Sequence, residues 1–472
     1  MNKIPPLLLF AIALLPLGCT MAPDYARPTA PIPTTWPISE AYAETAATTN
    51  ALAASDVGWQ TFFTDEKLRQ VIQASLTNNL DLRSAVLNVE LARAMYGIQR
   101  ASLLPTFSVG ASESKVGIPA DLSSSGSRMT TTRYDANLGI VAWEIDFFGR
   151  IRSLKDRALQ EYLATEQAQR SAQIMLIAAV AETYLALAAD HERLQLADTT
   201  LKAQRDAYTL IKRRCDLGLV NELDLYRAQT QVDTARGDVA GFKQRIAQDE
   251  NALTLLAGAP VPAALLPAQL ADVTPPKEIQ AGISSEVLLR RPDVMQSESL
   301  LKAANADIGA ARAAFFPRIS LTTAIGSASS QLSGLFAAGS GAWVYAPQLV
   351  MPIFDARTWS AFKAAKTQKK IAVTQYEKAI QSAFREVADA LAVRGTVNEQ
   401  LSAQESLVEA VAATYRLSTS RYDKGVDSYL SVLDAQRSLY GAQQGLVTVR
   451  FANLANQIRL YSVLGGGAET TP

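Results

Sequence analysis

The sequence predicts a mainly α-helical chain with a small β part, built from two tandem repeats. Alanine supplies much of the 48% hydrophobic content, and alanine is the best helix former. Long stretches with helical spacing contain no proline. In each repeat, apolar residues alternate with polar ones over two shorter stretches, which is the pattern of strands with one apolar face.

The composition argues against several classes of function. Lys plus Arg and Asp plus Glu are both 45, so no charge excess favours a nucleic-acid partner. The single histidine, His191, occupies a helical seam position, where a hydrogen-bonded structural role is expected. We find no nucleotide-binding or hydrolase motif and no Cys/His cluster. The sequence therefore predicts neither an enzyme nor a cofactor or metal site.

The N-terminus reads as a secretory signal peptide over residues 1–18, with Lys3 before a short apolar stretch. Leu17, Gly18 and Cys19 resemble a bacterial lipobox, although Pro16 departs from that pattern. The resemblance implies an acylated Cys19 in the outer membrane; plain secretion with an unmodified Cys19 is the alternative. The second cysteine, Cys215, is then left without a disulfide partner.

No transmembrane helix is expected beyond the signal peptide. The longest apolar run, Ile174 to Ala181, stops at Glu182 and is far shorter than a membrane span. Any membrane crossing must then be made by strands in a closed barrel, because the lipid interior leaves no partner for free backbone groups.

The chain matches itself at two places. Leu91–Val109 aligns with Lys302–Leu321, and Tyr208–Gln229 aligns with Tyr415–Gln436. In the first pair Gly97 aligns with Gly309, and Arg100 with Arg312. A repeat of this length indicates duplication of one large unit.

Each copy follows the same order of elements. A first helix ends before a proline, Pro105 or Pro317, because the residue before proline avoids the α region. A strand pair follows, and then a helix of roughly 95 Å with coiled-coil spacing. In the first copy that spacing is marked by Val180, Tyr184, Leu187, His191, Leu194, Asp198 and Leu201.

Each long helix turns back at a glycine, Gly218 or Gly425, suited to a left-handed cap. Asn221, and Asp427 or Ser428, are the expected caps of the returning helices. The predicted segments are a signal peptide (1–18), a lipidated extended and equatorial segment (19–66), a first repeat (67–257; strands about 104–148, tip near 218), an equatorial linker (258–292), a second repeat (293–464; strands about 316–354, tip near 425) and a tail (465–472).

Four strands per chain are too few to close a barrel, so amphipathic strands without a covering core imply assembly. Three chains would supply twelve strands, enough for a membrane pore with its apolar side outward. The sequence thus predicts a trimeric barrel continued by a hollow bundle of helical hairpins.

Several stretches carry a specific resemblance over essentially the whole mature chain. "MAPDYARP", "EIDFFGRIRS", "LRRPDVMQSE", "IGAARAAFFPRISL" and "AFREVADAL" resemble the TolC-like outer-membrane factors, in particular their lipidated OprM-like branch. "MPIFDARTW" lacks the paired glycines usual in that family. The resemblance implies a homotrimer with an outer-membrane β-barrel and a periplasmic α-barrel, in contact with outer-membrane lipid. It also implies a periplasmic adaptor and an inner-membrane RND transporter as partners.

The resemblance places Leu430, Asp434 and Arg437 at a periplasmic gate, with Asp224 and Arg227 as candidate partners. Leu430, Asp434 and Arg437 share one helix face. The threefold symmetry of a trimer would turn each of them into a ring of three side chains. A ring of aspartates attracts cations. The alternative is an exposed ion pair worth about 0.3–0.5 kcal/mol. The predicted adaptor-docking tips are marked by Arg214, Gly218, Arg421 and Gly425.

The predicted function is a passive efflux duct for drugs and other small toxic compounds, gated at its periplasmic tip. Two alternatives remain open from the sequence: the exit duct of a type I protein secretion system, and a coiled-coil lipoprotein that transports nothing. The four amphipathic strands count against the second alternative.

Overall fold

The structure, a computed structural model, describes residues 20–45, 54–279 and 284–468. The predicted signal peptide and Cys19 lie outside the described residues. The described helices are α1 (Trp59–Phe62), α2 (Glu66–Asn78), α3 (Leu80–Ala101), α4 (Arg150–Asp216), α5 (Glu222–Ala257), α6 (Pro292–Ala313), α7 (Ala356–Asp423) and α8 (Tyr429–Val463). The strands are β1 (Phe107–Ile118), β2 (Met129–Glu144), β3 (Arg318–Ser329) and β4 (Gly341–Val350). Short 3₁₀ turns lie at Glu40–Thr45, Ala54–Asp56, Ala263–Leu265, Leu270–Asp272, Ser285–Arg290 and Leu332–Gly334.

The chain forms two compact units, and each takes segments from both repeats. Of the described residues, unit 1 contains 20–29, 89–165 and 297–376, which include all four strands. Unit 2 contains the described residues of 30–88, 166–296 and 377–468, which include most of the two helical hairpins. The repeat in the sequence therefore does not define the compact units, because both copies supply strands to one unit and hairpins to the other.

The four strands form one antiparallel sheet in the order β1-β2-β3-β4. The central pairing, β2 with β3, joins the two copies of the repeat, with Leu138 opposite Ile325. In the sequence the alternating apolar positions Tyr134, Ala136, Leu138, Ile140 and Ala142 predict one regular strand. The register shifts between Ile140 and Trp143, however. Ala142 has a φ of 52°, and its N–H donates to Thr322 Oγ1 at 3.1 Å. This bulge ends the alternation, because it inserts an extra residue into one strand.

The long helices α4 and α7 contain 67 and 68 residues. In α4 the predicted seam residues Val180, Tyr184 and Leu187 are fully buried. Further along, Asp198 is exposed and its neighbour Ala197 is buried instead. The predicted seam position was wrong there, since burying an unpaired carboxylate costs far more than burying alanine.

Within the described part of the chain, α4 alone contains a stretch apolar enough to cross a membrane by length and composition, with a mean hydropathy of 1.7. No uninterrupted apolar run of that length occurs in the sequence, and the window qualifies because its hydropathy is an average that includes polar residues. About 61% of this window is buried inside the fold, as is usual for a core helix.

Arg291, the second arginine of "LRRPDV", joins three helices. The Arg291 guanidinium donates to Glu386 of α7 at 2.7 Å and to the Val463 carbonyl of α8 at 2.7 Å. It also forms a two-pronged bond with Asp293 at the start of α6. Its side chain is only 9% exposed, so these partners compensate for its lost hydration.

Candidate functional site

The two hairpin tips have the same backbone geometry. Gly218 and Gly425 have φ values of 71° and 72°. In the first tip Leu219 N–H donates to the Arg214 carbonyl at 2.8 Å; in the second, Val426 N–H donates to the Arg421 carbonyl at 2.9 Å. Each tip is thus a Schellman motif, which satisfies the last carbonyls of the long helix and needs a left-handed residue.

The caps of the returning helices differ between the two tips. Asn221 accepts from the Asp224 N–H at 2.9 Å, so the predicted cap of α5 is confirmed. Ser428 occupies the cap position of α8, but its side chain makes no capping bond. Asp427 instead accepts from Arg421 at 3.0 Å. The predicted cap position at Ser428 is therefore confirmed, but without a side-chain bond, and Asp427 pairs with the arginine across the turn.

Below the tips, the two hairpins share one apolar cluster in unit 2. It contains Ile211, Ala228, Tyr429, Val432 and Leu433. Burial, with Tyr422 and Tyr415 close by, raises the pKa of Tyr429 to about 12. The cluster fixes which face of α8 points inward, and the opposite face carries the predicted gate residues.

Leu430, Asp434 and Arg437 lie together on the outward face of α8. Arg437 donates to Asp434 at 2.8 Å, and the two side chains are 70% and 56% exposed. Leu430 is 41% exposed, although it is an aliphatic residue in a helix. Within one chain this is a solvated ion pair beside an apolar side chain.

The candidate partners Asp224 and Arg227 pair with each other at 3.5 Å within α5. Among the described residues of one chain, no ion pair joins them to Asp434 or Arg437. Their side chains are 24% and 39% exposed, which is less than those of the α8 pair.

A cross-hairpin contact involves the predicted tip residue Arg214. Its guanidinium donates to the Tyr422 hydroxyl at 2.7 Å and lies 5.6 Å from the centre of that ring. This bond joins α4 to α7, one hairpin to the other. Tyr422 was not among the predicted tip residues. The only available signal was its position next to Arg421 in the repeated tip stretch.

The outermost turns expose apolar side chains to solvent. Leu217 and Leu219 are 73% and 67% exposed at the first tip, and Val426 is 62% exposed at the second. Free cysteine Cys215 lies half-buried in the same turn as Gly218. Exposed aliphatic groups grouped in this way mark a surface suited to a partner.

The sheet in unit 1 carries an apolar row across all four strands. Val109 pairs with Leu138, Leu138 with Ile325, and Ile325 with Trp343. These four side chains are 83%, 49%, 69% and 76% exposed. On the opposite face the adjoining row includes Asn137 between Gly110 and Gly326. A sheet with one exposed apolar face and one polar face suits a boundary between lipid and water.

Comparison with known proteins agrees with this architecture. A family model described as outer membrane efflux protein matches residues 71–259 and 283–466. The chain is 47% identical over 451 residues to the toluene efflux pump outer membrane protein TtgC of Pseudomonas putida, covering 95% of this chain and 93% of that protein.

Solved structures show the same fold. A membrane protein from Pseudomonas aeruginosa superposes with a TM-score of 0.88 at 38% identity, covering 95% of this chain and 98% of that one. The open MtrE outer membrane channel of Neisseria gonorrhoeae gives 0.85 at 36% identity, covering 96% and 99%. The predicted fold class, a mainly helical chain with four strands that contributes to a trimeric channel, is confirmed.

These matches also confirm the predicted location and the predicted general function, an outer-membrane channel that reaches into the periplasm and serves a tripartite efflux pump. The chain belongs to the outer membrane efflux protein family.

Proposed function

We propose that three copies of this chain form the passive exit duct for drugs and other small toxic compounds expelled by an inner-membrane RND transporter through a periplasmic adaptor. The observation that carries the proposal is the exposed apolar row Val109–Leu138–Ile325–Trp343 opposite a polar face. Three such sheets, joined edge to edge, make a closed wall between lipid and an aqueous lumen. The chain needs no reaction of its own, because the transporter supplies the energy.

The cargo class is supported by the relatives. TtgC is named a toluene efflux protein, so its duct passes a small apolar compound. A duct that moves such cargo through water needs no tight binding site. The same comparison favours efflux over protein secretion for this chain.

We further propose a gate at Asp434. Its pair with Arg437 is exposed in one chain, where such pairs contribute little. In a trimer the three aspartates face a common axis and become a ring of negative charge, with Leu430 one turn away as an apolar collar. Asp224 and Arg227 are proposed to link this ring to a neighbouring chain.

The tips are proposed to receive the adaptor. Arg214 and Arg421 begin the two Schellman turns, and the turns present exposed aliphatic side chains to the periplasm. Two turns of the same backbone geometry per chain give six docking points in a trimer, three from each tip. That number suits an adaptor that binds in a ring.

Cys19 is proposed to carry the lipid anchor. Replacing it by serine should abolish palmitate labelling of the mature protein, while the strands still hold the barrel in the membrane. Persistent labelling of the Cys19→Ser variant would refute the lipobox interpretation.

The efflux proposal is tested by deleting the gene and measuring accumulation of a fluorescent amphiphile in otherwise intact cells. Accumulation should rise on deletion and return to the original level when the gene is restored. Unchanged accumulation, with the transporter and adaptor present, would count against an efflux duct. Loss of a secreted protein instead would favour the type I secretion alternative.

A further inference from the structure

The N-terminal strap, residues 20–29, runs along helix α6 inside unit 1. Four of its residues bond to that helix. Tyr25 and Arg27 donate to Glu298, Asn305 donates to the Pro23 carbonyl at 2.7 Å, and Arg312 donates to the Met21 carbonyl at 3.2 Å. The strap and α6 run antiparallel: residues earlier in the strap contact residues later in the helix.

The α6 residues in contact are spaced for one helix face. They are Glu298, Lys302, Asn305, Gly309 and Arg312, separated alternately by four and three positions. From 298 to 312 the helix advances about 21 Å. From residue 27 back to residue 21 an extended chain covers about 20 Å. The strap is therefore matched in length to the helix face that receives it.

Glu298 holds the far end of the strap. Arg27 approaches both carboxylate oxygens, at 3.0 and 2.7 Å, and Lys302 contributes a third cationic contact at 3.1 Å. The Glu298 side chain is only 7% exposed. Burial alone would raise its carboxyl pKa, but the bonds from Lys302 and Arg27 outweigh burial and keep the pKa below its ordinary value. A charged, buried, two-pronged contact of this kind is specific in geometry.

Gly309 sets how closely the strap approaches. A Cβ at this position would lie 2.7 Å from the Ala22 nitrogen and 2.5 Å from Ser153 Oγ. The aligned glycine of the first repeat, Gly97, has nothing within 4 Å. At the same offset, Glu298 aligns with Val86, which is 38% exposed. The two repeats thus present helix faces at corresponding positions but with different side chains, and among the described residues the face in the second repeat holds the strap.

The strap delivers the N-terminus to a defined place. Arg312 lies six residues before Arg318, where β3 begins. Thr20, the first described residue, directly precedes the strap residue bonded to Arg312. We propose that α6 acts as a ruler for the N-terminus: it binds residues 21–27 in extended form. By its length it holds residue 20 next to the first residues of β3. Cys19 lies outside the described residues, but an acyl group one residue before Thr20 would be held within reach of the membrane beside its own sheet. The acyl part of this inference rests on the lipidation proposed above.

The position of residue 20 is tested by photo-cross-linking of the full protein in membranes. Benzoylphenylalanine at Thr20 should cross-link to the segment 310–318, with palmitate labelling measured in parallel. Cross-links mainly outside that segment would overturn the ruler. A cross-link to 310–318 without a palmitate label would support the strap position and overturn the lipidation proposal, so the two failures are distinguishable.

Matched variants test how the ruler works. Gly309→Ala should reduce the cross-link yield several-fold, whereas Gly97→Ala, the repeat counterpart, should leave it unchanged. Equal effects of the two substitutions would overturn the role of the close approach at Gly309. A folding defect is monitored by trimer yield, and the cross-link is scored only per assembled trimer.

The contacts of Tyr25 and Arg27 with Glu298, which we call the clamp, hold the strap on α6. The clamp is tested by chymotrypsin cleavage after Tyr25. Glu298→Gln should speed cleavage by about tenfold, since a bond to a charged partner is lost. Glu405→Gln, which removes an exposed partner of Arg450, should have no effect. Arg27→Gln avoids any change in α6 and should act like Glu298→Gln, with the double variant no faster than either single one. Additive effects, or no effect of Arg27→Gln, would overturn the clamp.

Discussion

Replacing Asp434 by asparagine separates the two explanations of the α8 ion pair. In one chain the pair is an exposed i,i+3 contact at 2.8 Å, with side chains 70% and 56% exposed. Pairs of this kind contribute at most about 0.5 kcal/mol after solvent screening. Asp434→Asn should therefore shift the melting temperature of the purified protein by no more than about 2 °C.

The effect on conduction is expected to be much larger. Three aspartates about 8 Å from a permeating ion in water each contribute about 0.5 kcal/mol, or about 1.5 kcal/mol together. That energy favours a cation by about tenfold and disfavours an anion by about the same factor, so the cation-to-anion permeability ratio should change by about a hundredfold. The Asp434→Asn trimer should lose that preference and conduct more in its resting state, because Arg437 no longer has its partner.

The assay is single-channel recording in planar bilayers at low salt, where screening is weakest. Asp233→Asn is the matched control, since Asp233 pairs with Arg236 at 2.9 Å, also i,i+3, with side chains 51% and 62% exposed. That pair lies two turns further from the tip on α5. Unchanged selectivity in Asp434→Asn, or an equal change in Asp233→Asn, would refute the gate and leave an ordinary surface pair.

Three further predictions concern the sheet, the tips and the strap. Leu138→Lys should reduce trimer yield in the outer membrane by destabilising the lipid face by about 2–4 kcal/mol near mid-membrane, whereas Asn137→Lys, on the opposite face, should be tolerated. Gly425→Ala should lower stability in thermal melts by about 1–2 kcal/mol, because its φ of 72° is left-handed; Gly441→Ala, within helix α8, should raise it by up to about 1 kcal/mol. Since the pKa of Glu298 is depressed, the clamp's contribution should be complete above about pH 4 and lost as the pH falls further. The measurement is the rate of strap cleavage by pepsin, whose paired carboxylates work in acid, in Glu298→Gln relative to wild type against pH. A rate ratio that stays constant down to pH 3 would contradict this last prediction.

The elements of the fold could be predicted from local signals. The prolines at 105 and 317 predicted where helices stop and strands begin, because proline restricts the residue before it. Gly218 and Gly425 predicted the tips, because a Schellman turn requires a left-handed residue. The side chain of Asn221 and its position before the helix predicted its cap.

What the sequence did not predict depends on contacts between distant residues. Arg27 and Glu298 are separated by 271 positions, and nothing near either residue signals the other. The bond between Arg214 and Tyr422 likewise joins residues 208 positions apart. Aligning the repeats could not reveal the strap, because the replacement of Val86 by Glu298 in the second copy does not indicate which distant residue contacts the carboxylate.

The bulge at Ala142 could not be predicted from the sequence for a different reason. An alanine has no intrinsic preference for a φ of 52°, so no residue type marked the position. The conformation is held by the neighbouring strand, through Thr322 Oγ1. Pairing with β3 thus produces a bulge where the alternating pattern alone predicted a regular strand.

The central claim is that three copies of this chain enclose one water-filled channel. The most direct measurement is planar-bilayer recording of the wild-type protein purified from the outer membrane, with the mass of the same sample determined by native mass spectrometry. The account predicts three chains per particle and discrete conductance steps. Particles of one chain, or trimers that never conduct, would contradict it.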